Sequence, residues 1–249
     1  MKNIYLFIIT LLVFVIIILF ATNVNISKNI DRYKNVEFLK YITVNSNNDK
    51  NIEKKLEEIN EEKKYKIMMY YPHTKYDNLN NLIDTKINEY ISEFKKDISN
   101  MNNLQSQQYY TLSSKFDTYK YNEYITYVFS FFVDTGGAHP NTYIWTITYD
   151  TNNNKVILID DLINSNKDIL NILSKLSYDI LSKDKNLKQL NDFAMLKDGT
   201  LPIKNNFNKF AFTKDGLKIF FDNYQVAPYY LGSFYVVIPY KDINIFLIK

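Results

Sequence analysis

The fold is decided within one stretch of the chain, GGAHPNTYIWTITYDTNNNKVILIDDLI, which covers residues 136–163. It opens with a glycine-containing loop, continues through alternating aromatic and β-branched residues, and reverses at three consecutive asparagines. The alternation predicts a β-strand with one aromatic and aliphatic face, formed by Tyr143, Trp145, Ile147 and Tyr149. Thr146 and Thr148 lie on the opposite face. A further short strand over Val156–Ile159 follows the asparagine turn, so the stretch predicts a β-hairpin.

Before this hairpin, the spacing of the apolar residues changes twice, from that of a strand to that of a helix and back. Lys66–Tyr71 predicts a strand that ends at Pro72, because proline lacks the backbone N–H that a strand donates. A helix follows, since apolar residues recur at helical spacing in Leu82, Ile83, Ile87, Tyr90, Ile91, Phe94 and Ile98. The period then returns to two, which predicts strands over Tyr109–Tyr119 and Tyr124–Val133.

The residues after the hairpin repeat this alternation of helix and strands. Ser165 and Asp168 have the spacing of a capping box, and an apolar stripe follows in Ile169, Leu170, Leu173, Leu176, Ile180 and Leu181. Strands are then predicted over Lys209–Thr213, Leu217–Asp222 and Phe234–Ile238. The predicted fold class is α+β, with two small subdomains, each an amphipathic helix packed on antiparallel strands.

The amino-terminal residues predict a membrane anchor. Ile4–Ala21 contains no charged residue and, at about 1.5 Å per residue, would reach roughly 27 Å, close to the ~30 Å hydrocarbon core of a bilayer. The predicted organisation is therefore a transmembrane anchor at 1–22 and a juxtamembrane stalk at 23–60, with a short helix over Asn51–Glu62. The two α+β subdomains are predicted at 61–150 and 151–249.

The anchor also predicts where the rest of the chain lies. Leu19 makes the sequence before Ala21 a poor signal-peptidase site, which favours an uncleaved anchor over a protein that is secreted after cleavage. The charges flanking the apolar segment are ambiguous under the positive-inside rule. Because only three residues precede the segment, we expect a single-pass membrane protein with its carboxy-terminal body outside the cytoplasm.

Composition excludes several classes of protein. A hydrophobic fraction of 46%, with 22 Tyr and 17 Phe, is typical of a folded chain and not of a disordered one. The absence of cysteine excludes disulfides, thiolate metal sites and cysteine nucleophiles. The net charge of +3 comes without an arginine-rich cluster, so we expect no nucleic-acid binding.

Two separated motifs resemble a known family. The first is the stretch quoted above with its Asp160-Asp161-Leu162, and the second is FTKDGLKIFFDNYQVAPYYLGSFYVVIPY at residues 212–240. Together they resemble the extracytoplasmic domain shared by RsiV-like anti-sigma factors and PdaC-like peptidoglycan deacetylases. Upstream, Tyr70-Tyr71-Pro72 and the helix beginning near Asn80 are similar to the first part of that domain, so the resemblance covers roughly residues 64–244.

The resemblance implies an α+β module that recognises ligands in the envelope of a Gram-positive bacterium. RsiV-like members sense lysozyme by direct binding, and in PdaC-like members the module accompanies a separate deacetylase domain. This chain departs from both patterns. Only Met1–Asn3 precede the predicted anchor, where an anti-sigma factor would need a cytoplasmic segment, and the sequence ends at Lys249, where a deacetylase domain would follow. We therefore expect neither the signalling nor the deacetylase activity of these proteins in this chain.

The candidate ligand-binding residues lie in the two motifs: Asp134, Gly136, Gly137, His139, Asn141, Tyr224, Tyr229 and Tyr230. The loop residues could contact a glycan or a protein, or the glycines could simply allow a tight connection. These tyrosines, together with Tyr235 in the same stretch, could stack on sugar rings, supply contacts to a protein partner, or form part of a core. Asp160 and Asp161 could be acid/base carboxylates, although such residues more often lead into a helix.

We expect no catalytic residues, no metal and no cofactor. A metal site would need more ligands than His73 and His139, the only two histidines. The favoured function is a non-enzymatic, membrane-anchored binding or sensing module, whose ligand is a lysozyme-like protein or a peptidoglycan fragment. The alternatives are an envelope-acting hydrolase centred on His139 and a structural accessory subunit of another membrane protein.

Overall fold

A computed structural model describes residues 52–99, 109–190 and 192–245 of the chain. The predicted anchor at 4–21 and the stalk as far as residue 51 lie outside the described residues. Within the described ranges, no helix combines the length and the apolarity that crossing a bilayer requires.

A six-stranded sheet forms the first half of the described chain. Its strands occur in chain order, β1-β2-β3-β4-β5-β6. They comprise β1 (Ile52–Asn60), β2 (Tyr65–His73), β3 (Tyr110–Tyr121), β4 (Tyr124–Asp134), β5 (Asn141–Asp150) and β6 (Lys155–Ile157). Helix α1 (Asp77–Ser99) joins β2 to β3. The chain is therefore a mixed α+β protein, as predicted.

The pairing of β2 with β3 corrects the prediction that all strands are antiparallel, because these two strands run parallel. The physical reason is the helical crossover: α1 returns the chain to the end of the sheet where β2 began, so β3 starts in the same direction. Pro72 also does not end β2, which continues to His73. The parallel ladder with β3 stops at Met69, so Pro72 faces only Glu53 of β1.

The helix predicted over Asn51–Glu62 is wrong, since residues 52–60 form strand β1. Ile52, Leu56 and Ile59 have the i, i+4, i+7 spacing of an amphipathic helix, so the local sequence alone favours a helix here. The strand prevails because β2 offers it a ladder of nine paired residues. The last part of the predicted stalk is thus the edge of the first sheet.

A three-stranded sheet and several helices form the second half. The sheet has the order β7-β8-β9 and is antiparallel throughout. Its strands are β7 (Phe210–Thr213), β8 (Gly216–Phe221) and β9 (Phe234–Ile238). The α-helices of this half are α2 (Ile159–Ser165), α3 (Ile169–Leu181), α4 (Lys185–Lys188), α5 (Ala194–Gly199) and α6 (Lys204–Phe207).

The predicted capping box at Ser165 and Asp168 is wrong. Ser165 is the last residue of α2, and α3 begins only at Ile169. Asp168 precedes α3 but caps no backbone N–H with its side chain, which accepts a hydrogen bond from the Asn171 amide at 2.7 Å. The predicted helix is therefore present as α3, but it begins at Ile169 and not next to Ser165, and the separate short helix α2 precedes it.

The two sheets pack face to face, with helices on their outer faces. Aromatic and aliphatic side chains of β4 and β5, including Phe129 and Ile147, form a core with α1. The opposite face meets the second sheet through Val128, Ile144, Ala211 and Phe220. The far side of the second sheet forms another core with α3.

The threonine face of β5 connects the sheets by hydrogen bonds. The backbone N–H of Phe210 in β7 donates to Thr146 Oγ1 at 3.2 Å. The Thr148 hydroxyl donates to the Phe210 carbonyl at 3.3 Å. The predicted division of β5 into two different faces is confirmed. The aromatic face packs toward α1, except for Tyr143, which is exposed.

The predicted boundary between residues 150 and 151 falls inside the β5–β6 turn. Strand β6 pairs with β5 and so belongs to the first sheet. Asp150 holds this turn, because its buried carboxylate accepts hydrogen bonds from Asn152 N at 2.9 Å, from Asn153 N at 2.9 Å and from the Asn153 amide at 2.7 Å. Desolvation raises the pKa of Asp150, but these hydrogen bonds outweigh it and leave the pKa below its ordinary value.

Two residues of the second motif have structural roles. Gly216 has a φ of 143°, and a Cβ there would lie 2.2 Å from the Ile238 carbonyl oxygen, so glycine is required. The Tyr240 hydroxyl accepts a hydrogen bond from Thr213 N at 3.0 Å and donates to the Thr213 carbonyl at 2.7 Å. Burial raises the pKa of Tyr240, so the hydroxyl keeps the proton that it donates.

Candidate functional site

The first part of the candidate site is the loop between β4 and β5. Asp134 ends β4 and accepts a hydrogen bond from Gly136 N at 3.0 Å, which bends the chain at its exit from the strand. Gly136 has a φ of 75°, a conformation that favours glycine. A Cβ on Gly137 would have no atom within 4 Å, so packing does not require glycine there.

The second part is the loop between β8 and β9, which residues at its base hold in place. The Gln225 side chain donates hydrogen bonds to the carbonyls of Gly199 and Asn206, both at 3.2 Å. Gly199 must be glycine, because a Cβ there would lie 2.0 Å from the Gln225 carbonyl oxygen. Within this anchored loop Tyr224 has a φ of 66°, which is unusual for a bulky side chain.

His139 joins the two loops. Its ring stacks on Tyr229, with centroids 3.9 Å apart and planes inclined by 20°. Its Nε2 lies 3.2 Å from the Tyr224 hydroxyl, and the Tyr229 hydroxyl donates a hydrogen bond to the Pro140 carbonyl. We call these three side chains, His139, Tyr224 and Tyr229, the aromatic platform. Two loops that are more than 80 residues apart in sequence therefore build one surface.

The hydrogen bonds determine which ring nitrogen of His139 carries the proton. Nδ1 lies 3.0 Å from the Pro140 carbonyl oxygen, which can only accept. Nδ1 is therefore the donor, and in the neutral ring Nε2 accepts the Tyr224 hydroxyl proton. The histidine thus fixes the orientation of the Tyr224 ring, and Tyr224 as a residue is 53% exposed.

An ion pair lies beneath the β8–β9 loop. Asp222 forms it with Lys209, and its other oxygen accepts a hydrogen bond from Ile144 N at 3.1 Å. Burial lowers the pKa of Lys209 to about 8, whereas the carboxylate of Asp222 favours the charged ammonium. The pair ties β8 to both β5 and β7 next to the aromatic platform.

The structure places the eight sequence-predicted residues in four groups. His139, Tyr224 and Tyr229 contact one another, and Asp134 and Gly136 shape the loop that carries His139. Gly137 and Tyr230 lie exposed in the two loops, with 73% of Tyr230 accessible. Asn141 pairs with Val133 at the start of β5.

Sequence reasoning missed the supports of the site. These are Lys209, Asp222 and Gln225, together with the carbonyl of Pro140. The sequence offered one signal for a functional role of Asp222, namely a carboxylate at the end of a predicted strand. Its partner Lys209 lies just before another strand and could not be recognised without the pairing of β7 with β8.

The partners of His139, Asp160 and Asp161 show which catalytic arrangements these side chains form. Within the described ranges, the hydrogen bonds of His139 go to a carbonyl and a phenol, and none joins it to a serine hydroxyl or a carboxylate. A serine-type hydrolase would need both. Asp160 pairs with Lys204, and Asp161 pairs with Lys155 and accepts a hydrogen bond from Leu158 N at 2.8 Å. The described residues contain no group of three or more side chains that could hold a metal ion.

Comparison with known proteins gives a family match over part of the chain and a related protein. Residues 160–241 match the family described as "Protein of unknown function (DUF3298)". The chain is also 30% identical over 176 residues to the peptidoglycan-N-acetylmuramic acid deacetylase PdaC of Bacillus subtilis strain 168. The chain carries a DUF3298 domain and shares this family with PdaC-like proteins, which confirms that part of the predicted resemblance. The alignment covers 70% of this chain and 37% of PdaC.

Two solved structures share the fold. A DUF3298 family protein from Pseudomonas aeruginosa PAO1 superposes with a TM-score of 0.54 at 14% identity, covering 79% of this chain and 94% of that protein. A DUF3298 family member from Bacteroides fragilis NCTC 9343 gives a TM-score of 0.52 at 17% identity, covering 77% of this chain and 89% of that protein.

Proposed function

We propose that this chain is a non-enzymatic binding or sensing module of the bacterial cell envelope, and that it binds its ligand with the aromatic platform. The observation that carries the proposal is the meeting of His139, Tyr224 and Tyr229 on the surface, built from loops of two different sheets. Large aromatic side chains held rigidly at a surface are the usual anchors of binding sites.

The backbone of Tyr224 supports a binding role. A positive φ costs free energy for a tyrosine, and such residues persist where the surrounding structure holds them and are concentrated at functional sites. Here the bond to His139 and the anchored loop hold Tyr224 with more than half of its side chain exposed. An exposed ring that burial does not stabilise, in a costly conformation, favours recognition over packing.

The ligand that we propose is a peptidoglycan fragment. The ring faces of tyrosines suit the apolar faces of sugars, and their hydroxyls suit the polar edges. The relative PdaC is named for its action on peptidoglycan, and this chain matches a part of PdaC that would serve as an accessory region. A lysozyme-like protein, the ligand implied by the resemblance to RsiV-like proteins, is the other outcome of the binding experiment.

Isothermal titration of the purified full chain tests the proposal, with soluble peptidoglycan fragments in one experiment and lysozyme in another. Saturable heat with the fragments supports the glycan assignment. Saturable heat with lysozyme alone would move the assignment to a protein ligand. The absence of binding in both would overturn the ligand part of the proposal.

The non-enzymatic part of the proposal has its own test. In the hydrolase alternative, His139→Ala would abolish any turnover of peptidoglycan fragments, which product release from labelled fragments would measure. We expect no turnover by the unmodified chain. Release that is lost in the His139→Ala chain would establish the hydrolase instead.

We also propose that the chain is held in the membrane by residues 4–21, with its body outside the cytoplasm. The support is the uncharged apolar sequence of this segment. Protease treatment of intact cells should digest the body. A body that survives treatment of intact cells, but not of lysed cells, would contradict the external location.

A further inference from the structure

Strand β1 is an edge strand of the six-stranded sheet and contributes no residue to the aromatic platform. It pairs with β2 on one side, and no strand of the described ranges pairs with its other side. A nine-residue edge offers a row of backbone N–H and C=O groups to any chain that can pair with it.

Edge strands usually discourage such pairing with charge, and β1 is strongly charged. Its sequence is Ile-Glu-Lys-Lys-Leu-Glu-Glu-Ile-Asn, with Leu56 at the centre. The two residues before Leu56 are lysines and the two after it are glutamates. The charge order therefore inverts about Leu56.

This inversion means that a second copy of the strand is complementary to the first. In an antiparallel pair related by a two-fold axis at Leu56, Lys55 lies opposite Glu57 of the other copy. The symmetry makes this pair twice. Oppositely charged residues directly across two strands stabilise the pairing.

Other symmetric registers do not share this property. Residues that lie opposite each other across two strands point to the same face of the sheet. The two-fold axis must therefore pass through a residue position and not between two residues, so the nearest alternative registers are centred on Lys55 and on Glu57. Centring on Lys55 places two lysines opposite each other, and centring on Glu57 does the same with two glutamates. The charges thus select the register at Leu56 and disfavour its neighbours.

The side chains of β1 are available for this exchange. Lys55 and Glu57 form an ion pair within the strand at 2.6 Å, and about half of each side chain is exposed. Glu58 lies on the other face, where it pairs with Lys95 of α1 at 2.7 Å. Lys55 and Glu57 can therefore exchange their ion pair within one strand for ion pairs with the second copy. Both side chains stay on the same face of the sheet in this exchange.

We propose that two copies of this chain associate through antiparallel pairing of their β1 strands, centred on Leu56. The two six-stranded sheets then form one continuous sheet. The interface is one strand wide, so we expect a weak, reversible dimer of the size class below about 1,200 Å². This proposal concerns a different surface from the aromatic platform and does not depend on the function assigned there.

The chain has no cysteine, so a single introduced cysteine reports the register directly. In Leu56→Cys the two cysteines would face each other, within the ~4.5–5.5 Å between Cα atoms that a disulfide accepts. Ile59→Cys is the control. Position 59 is exposed, but its copy lies six residues away along the ladder, at about 20 Å.

Mild oxidation of the full chain in detergent should give a disulfide dimer for Leu56→Cys and at least about fivefold less for Ile59→Cys on a non-reducing gel, because a disulfide forms only at short range. Equal yields from the two variants, or no dimer from Leu56→Cys above the Ile59→Cys level, would overturn the proposal.

A charge swap separates pairing between chains from effects within one chain. In the Leu56→Cys background, Lys55→Glu and Glu57→Lys each break the ion pair within the strand and place like charges across the dimer. Each variant alone should therefore lose most of its dimer. Mixed together, with tags of different size, they should form the heterodimer, in which every charge again faces its opposite. A mixture without preference for the heterodimer would refute the charge-selected pairing.

Discussion

The contact between His139 and Tyr229 predicts a measurable coupling between the two loops of the candidate site. The rings stack with centroids 3.9 Å apart. Aromatic pairs contribute about 0.5–1.5 kcal/mol beyond the area they bury. Because His139 is exposed to solvent, we expect the lower part of this range, about 0.5–1 kcal/mol.

A double-mutant cycle measures this quantity. The free energy of unfolding is obtained by urea denaturation for the unmodified chain, His139→Ala, Tyr229→Ala and the double variant. The double variant should be more stable than the sum of the single losses predicts, by about 0.5–1 kcal/mol. Tyr229→Phe should itself cost only about 0.5–1 kcal/mol, because the Pro140 carbonyl still accepts a hydrogen bond from His139 Nδ1.

The control cycle pairs His139→Ala with Tyr178→Ala. The ring of Tyr178 packs in the core on the far side of the second sheet. These two changes should be additive within about 0.3 kcal/mol. A coupling between His139 and Tyr229 no larger than this control would refute the stacked contact, and with it the claim that the two loops form one surface.

Three other changes test individual interactions in the fold. Ser177→Ala should stabilise the chain by about 0.5–1 kcal/mol in urea denaturation, because the fully buried hydroxyl has no hydrogen-bond partner among the described residues and alanine favours a helix; a loss of stability would contradict this expectation. Asp222→Asn should cost about 1–3 kcal/mol in the same assay, since it leaves the Lys209 ammonium without its countercharge, and an unchanged midpoint would argue against the ion pair. The pKa of Asp150 is lower in the folded chain than in the unfolded one, so its stabilising contribution is present above the unfolded pKa and is lost as the pH falls through the folded pKa. The difference in unfolding free energy between the unmodified chain and Asp150→Asn should therefore be largest near pH 7 and shrink below about pH 4, and a difference that grows in acid would contradict the sign.

The local patterns of the sequence predicted most of the strands and the long helix. Helix α1 was predictable because Ile83, Ile87 and Phe94 repeat at helical spacing and are buried on one face. Strand β5 was predictable because its alternating faces meet different neighbours, a helix on one side and a second sheet on the other. In both elements, the spacing of the residues that share a face follows from the local geometry of a helix or a strand.

The remaining features depend on partners that are distant in sequence. The sequence of β1 does not predict a strand, because an edge strand with exposed charges carries no alternating pattern, and its strand conformation depends on pairing with β2. The parallel direction of β3 depends on the crossover through α1, which residue spacing does not encode. The aromatic platform depends on how the two sheets pack, so the sequence indicated its residues through a family resemblance but not the contact between them.

The most direct test of the proposed function compares two exposed tyrosines. Tyr224 belongs to the aromatic platform and Tyr235 lies in β9 outside both loops, with 53% and 59% of their side chains exposed. In titrations with soluble peptidoglycan fragments, Tyr224→Ala should weaken binding at least about tenfold, the effect of losing a binding anchor, while Tyr235→Ala should leave the affinity unchanged. Equal affinities for the two variants, or a loss confined to Tyr235→Ala, would contradict the assignment of the binding surface to His139, Tyr224 and Tyr229.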